Sequence, residues 1–259
     1  MQSNRQVSGV ALVTGGAKRI GRAIALALAR DGWDMAIQYG HSEPEARATA
    51  REIEALGRRS FALAGDLADE AAVRALLARC AQSLGPVTCL VNNAAMFEYD
   101  SAASFDSELF ARTMRVNVAA PLLLAACLHA QLPPDVRGVV INLLDQKLFN
   151  PNPDFLSYSL SKAALKEATT LLAQALAPHL RVVGIAPGIT MPSGEQSEAG
   201  FAAAHTKTPL GRSSTPEDVA QAVVFAARAP AITGTTLLVD GGQHLVPSDR
   251  DVMFLTEKP

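Results

Sequence analysis

Cysteine, histidine and aromatic side chains are scarce in this chain, and neither sign of charge dominates it. Its three cysteines, Cys80, Cys89 and Cys127, are an odd number without C-x-x-C spacing. That excludes a disulfide framework or a zinc knuckle and fits a reducing, cytoplasmic setting; the cysteines read as small core residues. His129, His179 and His244 are too scattered along the chain to suggest a metal site, so no metal is expected. Lysine and arginine total 23 against 25 acidic residues, a net charge of -2 that implies no bulk attraction to nucleic acid or anionic membrane. Residues 1–9 are polar and lack an apolar targeting core, and no apolar run approaches the roughly 20 residues that span a bilayer. Neither nucleic acid nor membrane is expected as a partner.

What the chain has is aliphatic bulk. Apolar residues make up 49% of its 259 positions and charged ones 19%, which suits a large buried core and excludes a disordered chain. Short β-branched runs at 10–14, 33–39, 60–64, 87–92, 139–144, 181–186 and 235–239 read as strands. Between them lie helical patterns at 20–30, 43–56, 69–83, 105–131, 157–177 and 217–229. Seven strands with six helical crossovers predict an α/β fold, a parallel sheet with helices on both faces, because each parallel crossover needs a dozen or more residues. The strands are nearly uniform in apolarity, as expected when both faces are covered. No Pro/Gly/Ser-rich linker divides the chain, so residues 1–259 form one domain. Residues 190–214, rich in Pro, Gly, Ser and Glu, read as an irregular connection of the lid or binding-loop kind. The tail, 243–259, is expected to fray or to serve subunit contacts.

The run from Thr14 to Gly21 sits where the first strand turns into a helix. Gly15, Gly16 and Gly21 let the backbone approach a pyrophosphate, whose charge suits the free N–H groups of a helix N-terminus. An acidic residue at the end of the second strand would select NAD; this chain has Tyr39-Gly40-His41-Ser42 instead. With Lys18 and Arg19 nearby, a 2′-phosphate meets positive charge and hydroxyl donors, so NADPH is expected over NADH. Ser42 also suits the cap of the helix that follows.

Tyr158 and Lys162 are four residues apart on one face of a predicted helix. An ammonium there is expected to lower the phenol pKa and make Tyr158 a competent proton donor. Asp145 ends the fifth strand, on the side where open α/β sheets bind ligands. An ionised carboxylate would repel the alkoxide that forms from a ketone, whereas a protonated one beside Tyr158 could serve reduction of a C=N bond. A local role, capping the turn at Gln146 and Lys147, is the competing reading. Phe97 reads either as a pocket wall or as a core aromatic, and His205 and Lys207 lie where a lid would reach substrate.

Together the glycine turn, Asn92-Asn93-Ala94-Ala95, Asn117, Tyr158-x-x-x-Lys162 and Pro187-Gly188 resemble the short-chain dehydrogenase/reductase family over residues 10–242. The resemblance implies a Rossmann-type domain, a nicotinamide cofactor and a homotetramer. It also implies cofactor contacts at Gly15, Lys18, Arg19, Ile20, Gly21, His41, Ser42, Asp66 and Leu67. Further ones are implied at Asn93, Ala94, Ala95, Lys162, Pro187, Gly188 and Ile189, and a role for Asn117 in linking Lys162 to solvent. Arg19 and Asp145, where most members have glycine and serine, and Phe97 are similar to the pteridine reductase and dihydromonapterin reductase branch. That likeness implies that Arg19 lies by the phosphates and the pterin and that Phe97 stacks the pterin ring. The expected function is NADPH-dependent reduction of a pteridine or dihydropteridine, with Asp145, Tyr158, Lys162 and Asn117 catalytic. The alternatives are reduction of a ketoacyl thioester or small ketone, and an NADPH-binding sensor without turnover.

Overall fold

Alternating side chains on each strand feed two separate cores, one on each face of a single sheet. In β1 (Gly9–Val13), Ala11 and Val13 pack on one face while Val10 and Leu12 pack on the other. In this computed structural model, which describes residues 9–192 and 197–256, β1 lies parallel to β2 (Trp33–Tyr39), which in turn pairs with β3 (Ser60–Ala64). On the other side β1 pairs with β4 (Val87–Asn92), followed by β5 (Gly138–Leu143), β6 (Leu180–Pro187) and β7 (Thr236–Val239). The order β3-β2-β1-β4-β5-β6-β7 reverses direction between β1 and β4, and a crevice opens at the carboxyl ends of those two strands.

One face carries α1 (Arg19–Arg30), α2 (Glu43–Ala55) and α8 (Pro216–Arg228), which bury Ile24, Leu28, Ile53, Val219 and Val223. The other carries α3 (Glu70–Leu84) and α5 (Ala120–Gln131), with Leu76, Leu77, Leu124 and Leu128 in its core; α6 (Leu156–Leu176) packs beside them on β6. Short polar side chains start the helices: Asp69 accepts from Ala71 and Ala72 N–H, and Thr215 and Asp218 form a reciprocal capping box.

Three stretches differ from the sequence expectation. The helix expected over 105–131 is α4 (Ser107–Met114), a π-helical turn (Arg115–Ala119) and α5 in continuous succession. At 25 residues, with a mean hydropathy of 1.3 over its most apolar 18, Ser107–Gln131 is the one helix among the described residues long and apolar enough to cross a membrane. Glu108, Arg112 and Arg115 interrupt its apolar run, and it packs against α3 and α6. The connection expected to be irregular over 190–214 contains α7 (Glu198–His205), capped by Ser197, whose hydroxyl accepts from Gly200 N–H. Within that connection, residues 193–196 lie outside the described residues, as do 257–259 of the tail. Between 243 and 256 the tail forms a short 3-10 turn (Gln243–Leu245) and α9 (Val252–Thr256), which packs on α7.

Candidate active site

The crevice is built first at the glycine turn. Gly15 takes a φ of +61°, and a Cβ on Gly21 would lie 2.2 Å from the Gly15 carbonyl oxygen, so both positions require glycine. The turn is tied to both neighbouring strands. The Gly15 N–H donates to Gln38 Oε1 at 2.9 Å, and Asn93 Nδ2 donates to the Thr14 and Gly15 carbonyls at 2.9 and 3.2 Å. Thr14 Oγ1 accepts from the N–H groups of Asn93 and Ala94 at 3.0 and 3.1 Å. No side chain caps α1 and no acidic residue occupies its first turn. Its N-terminus therefore presents open donors and favourable potential to an anion, which fits a dinucleotide phosphate.

A cavity of about 660 Å³ runs from this turn past the ends of β4, β5 and β6. Gly15, Lys18, Arg19, Ile20 and Gly21 line one side, with Asn93, Ala94 and Ala95 beside them. Pro187, Gly188 and Ile189 line the β6 side, and Asp145, Tyr158, Lys162 and Phe97 surround the far end. A Cβ on Gly188 would approach Ser213 Oγ to 2.4 Å, so that turn too needs its glycine. Arg19 adopts φ +55° in a region that disfavours side chains, and its guanidinium donates to the Pro192 carbonyl at 2.7 Å, across the mouth of the cavity.

Not every expected residue reaches the cavity. His41 is exposed at the end of β2 and Ser42 half-buried, and neither lines the cavity; the Ser42 hydroxyl makes no capping bond to α2. Asp66 and Leu67 lie beyond the end of β3, where Asp66 Oδ1 accepts from Ala68 N–H at 2.8 Å. Lys207 lines the cavity, while His205 turns away to the Ser214 carbonyl. Asn117, buried in the π turn, bonds both ways with the Met96 backbone and donates to Ser161 Oγ at 2.9 Å. It holds the segment that carries Ala95 and Phe97 against α6 and makes it a positioning residue.

Asp145 makes two contacts at once, one to the turn that follows it and one to Tyr158. Its Oδ1 accepts from Lys147 N–H at 2.8 Å and starts the turn Gln146–Leu148, while Oδ2 accepts from the Tyr158 hydroxyl at 2.8 Å. Burial raises the Asp145 carboxyl above its ordinary range despite the Lys147 N–H, the Tyr158 bond and the Lys162 charge. Tyr158 contradicts the expectation from its Lys162 neighbour: the phenol is raised well above 10, not lowered. Burial and the Asp145 carboxylate outweigh an ammonium 5.6 Å from the ring, whose Nζ is aimed instead at the Leu143 carbonyl at 2.6 Å. Burial likewise drives Lys162 down to about 8, partly opposed by Asp145. Phe97 is 38% exposed, with one face stacked on Phe155 at 4.2 Å and Tyr158 edge-on at 4.7 Å, so it is a wall of the cavity more than a core aromatic.

Several site residues carried no sequence signal. Asp100 accepts from Ser157 N–H at 2.9 Å and from its hydroxyl at 2.5 Å, anchoring the start of the helix that bears Tyr158 from 57 residues away. Gln38 was discoverable as the lone amide in an apolar strand. The tail contributes Val246, Pro247, Ser248, Asp251 and Met253 to the cavity wall, and the Asp251 charge adds to the upward pressure on both Asp145 and Tyr158. Among the described residues no group of His, Cys, Asp and Glu could hold a metal.

Known proteins are similar to this chain over most of its length. FolM alternative dihydrofolate reductase 1 from Brucella suis, solved in complex with NADP, is 40% identical, with a TM-score of 0.89 over 93% of this chain and 97% of its own. A short-chain dehydrogenase from Burkholderia cenocepacia, also solved with NADP, is 35% identical with a TM-score of 0.85, covering 92% of this chain and 99% of that one. The 3-oxoacyl-[acyl-carrier-protein] reductase FabG of Staphylococcus aureus is 31% identical over 91% of this chain and 98% of its own. The family model for short chain dehydrogenases matches residues 9–199, from the first strand past the sixth and through both the glycine turn and the Tyr158–Lys162 pair. The chain belongs to the short chain dehydrogenase family.

Proposed function

We propose that this protein uses NADPH to reduce a pteridine or dihydropteridine. The observation that carries the reading is the 2.8 Å contact of the Tyr158 hydroxyl with Asp145, a carboxyl that stands where burial disfavours its ionised form. When bound, the nicotinamide supplies a hydride to a ring carbon. Tyr158 then passes its proton to the adjoining ring nitrogen, and an Asp145 that carries a proton returns one to the phenolate. Lys162, fixed on the Leu143 carbonyl, keeps further N–H donors for the ribose hydroxyls. Lys18 and Arg19, both exposed at the glycine turn, with His41 and Ser42 at the next strand end, favour a 2′-phosphate. Phe97 offers an aromatic wall for the heterocycle and Arg19 a cation at its edge. The NADP-bound relative named as a dihydrofolate reductase supports the same reading.

Likeness to a ketoacyl reductase favours a carbonyl compound as the second reading. NADPH oxidation assayed against dihydrobiopterin, dihydrofolate and a panel of ketones separates them: turnover of ketones alone overturns the pteridine assignment, tight NADPH binding without any turnover indicates a sensor, and preference for NADH overturns the cofactor choice. Asp145→Ser should lose pteridine turnover while retaining NADPH affinity. We also propose a cytoplasmic homotetramer; Leu160 and Leu171, exposed on one face of α6, support self-association, and light scattering tests it.

A further inference from the structure

The described part of the tail is fastened beside the catalytic pair by a set of polar contacts. Arg250 Nε donates to Asp154 Oδ2 at 2.8 Å, and the Asp251 N–H donates to the same oxygen at 2.7 Å. Asp154 lies in the loop between Asp145 and α6, so the tail and the catalytic loop share one anchor. Lys147, buried in that loop, donates to the Asp154 carbonyl at 2.5 Å and reaches Asp251 Oδ2 at 3.4 Å. Phe254 closes the outer edge, its ring 5.6 Å from Tyr99 and 6.1 Å from Phe155.

Asp251 thereby puts a second carboxylate on the cavity wall, its side chain 19% exposed. One oxygen accepts from Met253 N–H at 3.2 Å and starts α9. Among the described residues the other has only the Lys147 contact at 3.4 Å, well beyond the 2.7–2.9 Å of a close charge-assisted bond, so acceptor capacity remains. Acceptors of this kind reward a ligand that brings N–H donors, and a carbonyl compound, itself an acceptor, leaves them unpaired. We propose that Asp251 is a specificity-determining residue: its carboxylate accepts N–H bonds from an amino-substituted nitrogen heterocycle held between Tyr158 and the tail. This rests on the pteridine reading and adds to it the group that selects the amino substituent.

Asp251→Asn is the test, since asparagine caps a helix as well as aspartate does while the second oxygen, with its charge and its contact to Lys147, becomes an N–H donor. KM is measured for a dihydropterin and for the same ring with its amino group replaced by oxygen. The expected result is a KM raised about tenfold for the amino-bearing ring and less than twofold for the oxo ring, with the NADPH Kd unchanged; Asp251→Ser should repeat the discrimination. Equal effects on both rings, or none on either, would overturn the proposal while the wild type's own turnover upholds the pteridine reading. A wild type that reduces neither ring overturns both.

Discussion

Replacing Lys162 by methionine isolates the electrostatic load at the centre of this site. Methionine keeps the unbranched shape and removes the charge and the bond to the Leu143 carbonyl. Burial lowers the lysine from 10.5 to about 8, with Asp145 opposing. At about 1.4 kcal/mol per pH unit, the folded wild type carries roughly 3 kcal/mol of penalty for holding that ammonium. The sign follows from proton counts. Below about pH 8 both folded and unfolded lysines are charged and the whole penalty is present; between about 8 and 10.5 the unfolded chain binds the extra proton, so wild-type stability rises with pH. The lost bond costs the variant about 1–3 kcal/mol at every pH, which offsets the curves without changing their slopes. At pH 7 the methionine variant should therefore be as stable as the wild type or up to ~2 kcal/mol more so. The difference should swing by roughly 3 kcal/mol towards the wild type by pH 10.5. At about 2–4 °C per kcal/mol, that swing amounts to roughly 6–12 °C in Tm, read by thermal unfolding of both proteins across the range. Parallel stability curves would refute the claim that Lys162 is held against a burial penalty.

Gly21→Ala places a methyl 2.2 Å from the Gly15 oxygen, and titration by protein fluorescence should show the NADPH Kd raised at least about tenfold in a folded protein. Arg19→Gly relieves a φ of +55° and should gain about 1 kcal/mol in denaturant melts, while the broken contact to Pro192 raises the substrate KM; a loss of stability would show that the side chain holds the turn. Asn117→Ala removes three hydrogen bonds, two of them to the Met96 backbone. It should cost about 1–3 kcal/mol and lower kcat, and unchanged kcat would detach the Met96 segment from catalysis.

Local chemistry explains which features the sequence revealed. Strand runs such as 33–39 are bounded by glycines and buried at every residue, so their apolarity alone marks them. Asp145 and Tyr158, 13 residues apart, meet because a strand end and the first turn of a helix are both rigid. The π turn at Asn117 leaves no such trace, since one added residue per turn hardly alters the apolar spacing of a long helix. α7 is hidden by Gly200 and by its brevity, and α9, at five residues, is shorter than any periodic signal. Asp251 is placed by Asp154, 97 positions earlier, and the reversal of the Tyr158 shift depends on where the Lys162 ammonium points. Distances of that kind are set by packing and have no counterpart in spacing.

The reversal of strand order has a kinetic side. β1 meets β2 across a loop of about 20 residues, whereas it meets β4 only after about 75 intervening residues have closed, and closure entropy grows with that length, by about 0.6 kcal/mol per doubling. The three strands on one flank can therefore gather as a local unit before the seam at Thr14 and Asn93 exists. The crevice is that seam, so the place where a dinucleotide fits is also the strand joint that closes the longest stretch of chain, and a ligand bound there holds the two halves of the sheet together.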